Sequence, residues 1–171
     1  MGAFSLSTLA LVVLVPLLVW RIYSRVKGVM GRQVSVPSRH WLGVLVCGAA
    51  LAVSVAEVMG STTLLGYLAL GALFGIGWGL FAFKRTRLFA NDEGYFFQPY
   101  APLGIAVAML FAARILYVGV DLYINQGIPM RVQEPFMHAP LTVAAIAFVA
   151  GYFGTISAGL LRWRLLNRQT D

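Results

Sequence analysis

Five apolar runs, each long enough to cross a lipid bilayer, leave this sequence few folds to choose from. A bilayer core of about 30 Å needs about 20 apolar residues in a helix. Runs of that length cover residues 4–23, 41–59, 62–83, 102–124 and 140–161. They are apolar on all sides and lack the period-two alternation of barrel strands. The expected fold is therefore an all-α integral membrane protein, a five-transmembrane-helix bundle forming one membrane domain over 1–171. Composition points the same way. Of the 171 residues, 60% are hydrophobic and 11% are charged, against roughly a quarter charged in soluble domains. A soluble chain of this size exposes too much of itself to hide that apolar surface. An ordinary soluble domain, a disordered tail and a disulfide scaffold are excluded. With Cys47 as its one cysteine, the chain also forms no intramolecular disulfide.

Basic residues set the expected orientation. With the N-terminus outside, the cytoplasmic segments hold Arg21, Arg25, Lys27, Arg32, Arg39, Lys84, Arg85, Arg87, Arg162, Arg164 and Arg168, whereas the outer segments hold Arg131. Eleven against one is a strong positive-inside signal, and it predicts N-out and C-in. Trp20, Trp41, Trp78 and Trp163 fall at or near the predicted inner ends, where an amphipathic ring suits the headgroup layer. The first run has its charges after it rather than before it, so it reads as a retained helix and not as a secretory signal. A bacterial inner (cytoplasmic) membrane, crossed several times, is the expected location. The net charge of +7 is assigned to topology and to contact with anionic lipid. No basic run is continuous enough to track a nucleic-acid backbone.

The connections carry further expectations. The turn between the second and third spans is almost absent, which predicts an antiparallel helix pair. Residues 84–100 contain β-like runs at Thr86–Phe89 and Tyr95–Gln98 around Asn91-Asp92-Glu93-Gly94, a good hairpin turn. A small cytoplasmic β-hairpin with interfacial aromatics is expected there. The outer loop, 125–138, holds Pro129 and Pro135 and allows a short interfacial helix. Gly71, Gly75 and Gly79 share one helical face of the third span, and Gly151 and Gly154 begin a similar small face in the fifth. Such faces let backbones approach closely in lipid, either within the bundle or between two copies.

Ionisable groups inside spans are costly and mark the place to look for function. Arg114, Tyr117 and Asp121 fall at i, i+3 and i+7 on one face of the fourth span. Cys47, Ser54 and Glu57 form a polar stripe on the second. Three readings of this group stand open: an interhelical salt bridge docking the second span on the fourth, an outward-facing pocket in which Arg114 binds an anion or the acids relay protons, and contact with lipid headgroups. No cofactor is expected. His40 and His138 lie at opposite boundaries and cannot jointly ligate a haem, and no partner cluster completes a zinc site. No catalytic residue can be named, because no phosphate loop, nucleophile elbow or zinc-protease pattern occurs.

The order Arg87-Leu-Phe, Asp92-Glu-Gly94, Tyr95-Phe96, then Ala113-Arg114-Ile-Leu-Tyr117, then Leu161-Arg162-Trp163-Arg164 resembles the CcdC-like family of small bacterial membrane proteins. The arginines after the first span fit it too. The resemblance implies a similar span number and a link to cytochrome c biogenesis, and it supplies no catalytic residues; Arg114 is the matching position that stands out. One cysteine cannot move thiol electrons within the chain, so any such role would be accessory. The leading expectation is a polytopic accessory or scaffold protein whose partners are membrane lipid and a protein partner or second copy. Its rivals are a small oligomeric transporter or channel built around Arg114 and, more remotely, a membrane enzyme acting on lipid-like substrates.

Overall fold

The computed structural model describes residues 31–91, 94–124 and 139–167, with the backbone alone for 121–124. The first expected span, the loop at 125–138 with His138, and the turn residues Asp92 and Glu93 lie outside the described residues. What is described is mostly helical, with four helices long and apolar enough to cross a membrane. They are α1 (Pro37–Val58), α2 (Thr62–Arg85), α3 (Ala101–Ile124) and α4 (Pro140–Asn167). Three strands accompany them: β1 (Gln33–Val34), β2 (Arg87–Asn91) and β3 (Gly94–Gln98).

Local chemistry marks the helix ends. Pro37 starts α1, where the missing proline N–H costs nothing. Ser61 caps α2 by accepting from the Leu64 N–H at 3.4 Å. Thr86 ends the same helix, its N–H donating to the Phe83 carbonyl at 3.0 Å and its hydroxyl to Ala82 at 2.9 Å. α4 has no distinct apolar face, the pattern of a helix that packs on more than one side.

That last feature organises the bundle. α1 and α2 are joined by the short turn 59–61, yet each packs far more extensively on α4 than on the other. The expected antiparallel pair is thus present in chain path but not as the main packing unit. α4 fills the space between the two helices, running parallel to α2 and antiparallel to α1. At the turn end, Val58, Leu64, Leu68, Val143 and Ala147 form one buried cluster. Nearer the strands, Ala82, Val107 and Tyr152 form a second, to which α3 contributes Val107. α3 is otherwise peripheral, with Met109, Leu110, Leu116 and Val120 exposed.

The strands make a three-stranded antiparallel sheet in the order β1-β3-β2. The expected two-stranded hairpin is therefore incomplete as a description. Gln33 and Val34 pair with Phe97 and Phe96 on the far side of β3, so the segment preceding α1 is stitched to the segment preceding α3. Gly94 closes the β2–β3 ladder opposite Asn91 with φ +127°, a backbone state that favours glycine.

Candidate functional site

The small-residue faces meet inside the described bundle. A Cβ added to Gly71 would overlap the carbonyl oxygen of Ala144, and one added to Gly75 would overlap that of Phe148. At Gly79 it would lie 2.8 Å from both the Tyr152 oxygen and Thr155 Cβ. From the other side, a Cβ on Gly151 would come within 2.8 Å of the Ala72 oxygen. α2 and α4 thus touch backbone to backbone over two helical turns. Gly154 faces α1 instead, its added Cβ 3.2 Å from Cys47 Cβ.

Among the described side chains, the polar residues expected to cluster do not converge. Ser54 is buried, 1% exposed, and its hydroxyl donates to the Ala50 carbonyl at 2.8 Å within its own helix. Glu57 is exposed on α1. Tyr117 is 66% exposed, with Arg114 Cζ 5.4 Å from its ring centroid. Asp121 lies in α3, and its side chain is outside the described residues. Arg114 turns to α4, where Nη2 and Nε donate to Thr142 Oγ1 at 2.9 and 3.3 Å. Among the described residues Arg114 forms no ion pair, and the expected bridge from Arg114 to the second span is not made. The reason is the position of α4, which stands between α1 and α3. Thr142 lies in the first turn of α4 and is 1% exposed. This places the guanidinium level with the end of that helix rather than deep in the bundle. Sequence reasoning passed over Thr142; its signal was a hydroxyl two residues after a helix-starting proline.

A denser constellation forms where the sheet meets the helices. Tyr95 and Phe97, two apart on β3, share the face turned toward the bundle. Ser35 donates its N–H to the Tyr95 carbonyl at 2.9 Å, and its buried hydroxyl pairs with His40 Nε2 at 2.9 Å. The His40 ring meets Phe97 edge-on at 5.6 Å. On the α4 side, Arg164 Cζ lies 3.7 Å over the Tyr95 ring centroid, a contact worth about 2 kcal/mol when desolvated. Arg164 Nε is buried and has no hydrogen-bond partner among the described residues. Trp163 meets Tyr95 edge-on at 5.7 Å, and the Tyr95 hydroxyl donates to the Asn167 carbonyl at 3.1 Å. His40, expected only as an interfacial residue, is a structural member of this cap. β1, only Gln33–Val34, offered no signal of its own in the sequence.

No family model, curated protein or solved structure matches the chain. Among the described residues no cluster of three or more His, Cys, Asp or Glu has the arrangement to hold a metal ion. The chemistry of this end of the molecule is that of donors and aromatics. Basic side chains at one end of the helices, Lys84, Arg85, Arg87, Arg162 and Arg164, surround a folded sheet. Such a surface attracts anions and anionic lipid. It also offers β2 as a sheet edge without a described neighbour.

Proposed function

We propose that the chain is a polytopic accessory or scaffold protein of the inner (cytoplasmic) membrane. In this reading it has five spans, its N-terminus outside and its C-terminus inside, and presents the sheet-capped basic end to the cytoplasm. The observation that carries the reading is the α2–α4 seam. A carrier working by alternating access must rock one group of helices against another. Here the central helix is locked to α2 by direct backbone contact at Gly71 and Gly75 and tied by Tyr95 to the sheet. That construction suits a rigid platform. Apolar faces on α1 and α3 remain for lipid, for the first span or for a partner helix.

Proteoliposomes carrying the full chain test this directly. They are expected to hold proton and anion gradients as long as protein-free vesicles do. A flux that Arg114→Lys abolishes would replace the scaffold by the small transporter. The resemblance to CcdC-like proteins directs the accessory role toward cytochrome c biogenesis. Cells deprived of the chain should then accumulate less mature c-type cytochrome, and unchanged haem-stained levels would remove that assignment.

A further inference from the structure

A cavity of about 290 Å³ lies between the last turn of α2, the start of β2 and the link from β3 into α3, lined by Arg85, Arg87, Gln98, Pro99 and Tyr100. We infer that this cavity is a phosphate-binding site at the membrane surface, taking either the phosphodiester of an anionic phospholipid or a free phosphate. The lining sets the sign of the ligand. It brings together two guanidinium groups and a phenol, and none of its five residues is acidic. Guanidinium groups bind phosphate oxygens through paired, charge-assisted hydrogen bonds.

The arginines are held in place by the fold. Arg87 and Gln98 are directly opposed on the β2–β3 ladder, so both side chains stand on one face of the sheet. Arg85 is the last residue of α2, and its guanidinium lies 5.1 Å over the Phe81 ring. Between them, Thr86 is pinned to α2 through Phe83 and Ala82, which fixes the step from the first arginine to the second. Location completes the argument. α2 ends and α3 begins at this cavity, and both are long and apolar enough to span a membrane. A pocket at that junction stands at the depth of lipid phosphates. Its volume lies just below the range of ligand pockets, about 300–1,000 Å³, a size that suits a headgroup rather than a large metabolite.

The inference rests on the membrane-spanning reading, which carbonate extraction of native membranes checks separately. The direct test is native mass spectrometry of the full chain in detergent, titrated in turn with phosphatidylglycerol, phosphatidylcholine and inorganic phosphate. The intact protein should retain phosphatidylglycerol over phosphatidylcholine, and R85Q/R87Q should weaken that binding about thirtyfold, taking each basic contact at its ordinary surface value. R162Q, which removes a charge at the same end but outside the cavity, should leave it unchanged. Saturable binding of inorganic phosphate that R85Q/R87Q abolishes and R162Q spares would support the site with a soluble ligand. Equal losses in R85Q/R87Q and R162Q would mean diffuse surface charge and overturn the site, as would no loss in the double variant. Both arginines are exposed, and circular dichroism confirms folding before titration. Should R85Q/R87Q misfold, R85K/R87K keeps the charge without the paired geometry, and undiminished binding there would equally overturn the assignment.

Discussion

Replacing Gly75 by alanine adds one methyl group at the tightest point of the α2–α4 seam. The new Cβ would lie 2.9 and 3.0 Å from the carbonyl carbon and Cα of Phe148, and closer still to its oxygen. All three are backbone atoms, so no side chain can rotate away. Restoring ordinary contact requires the helices to part by about half an ångström or more. A gap of that size forfeits a quarter to a half of each contact's dispersion energy, and overpacking a close-packed site costs about 1–3 kcal/mol. Gly77, two residues away on the same helix, supplies the control. It is exposed, and an added Cβ there meets nothing within 4 Å. Alanine at 77 should stabilise slightly, because glycine is the poorer helix former by up to about 1 kcal/mol. The same change two positions apart should therefore move stability in opposite directions. Thermal unfolding of the full chain in detergent measures this, read by tryptophan fluorescence, since Trp78 packs edge-on against Phe148 at 5.8 Å. The double variant Gly71→Ala/Gly75→Ala should cost less than the sum of its parts, because the first methyl already opens the seam. Equal melting of the Gly75→Ala and Gly77→Ala proteins would refute the backbone contact.

Other expectations test the remaining contacts. Thr142→Val removes the acceptor for two Arg114 donors and should cost about 1.5–3 kcal/mol, the range for hydrogen bonds to charged groups, while Thr142→Ser should keep most of the stability. Matching melting curves for the two would mean that the contact carries no weight. At the cap, Tyr95→Ala should cost about 2–4 kcal/mol through the lost ring and its guanidinium contact, and Tyr95→Phe about 1 kcal/mol. Limited proteolysis near 86–100 should quicken in that order, and an unaltered rate for Tyr95→Ala would discount the cap. A fluorescent-protein fusion after Asp171 should fold and glow in the cytoplasm, and a phosphatase fused at Gly60 should be active outside; the reverse pattern would invert the proposed topology.

Element boundaries were largely legible because hydrocarbon thickness and proline leave local marks. The expected runs at 62–83 and 140–161 correspond to Thr62–Arg85 and Pro140–Asn167, and the turn glycine at 94 announced the β2–β3 ladder. What escaped was the pairing of distant segments. β1 is two residues long, too short for a period, and its partner lies more than sixty positions away. The polar stripe on α1 and the arginine on α3 looked complementary as sequence, yet nothing local reveals that α4 stands between them. The glycines behaved differently: a row of small residues reports close backbone approach, although only the fold names the partner. Arg164, read as one more topological charge, proved to sit on an aromatic ring, a placement that charge counting does not encode.

The central position of α4 has a consequence for the order of events on the ribosome. Of the described helices it is the last to be translated, yet it supplies the buried side of each one made before it. Until it emerges, the glycine row of α2 lacks the one mate it has among the described helices, and Tyr95 has no terminal turns to rest upon. The described helices must therefore wait for α4 before they can pack together. A premature stop before residue 140 would accordingly leave the described helices without their shared packing partner, in place of a smaller version of the same protein.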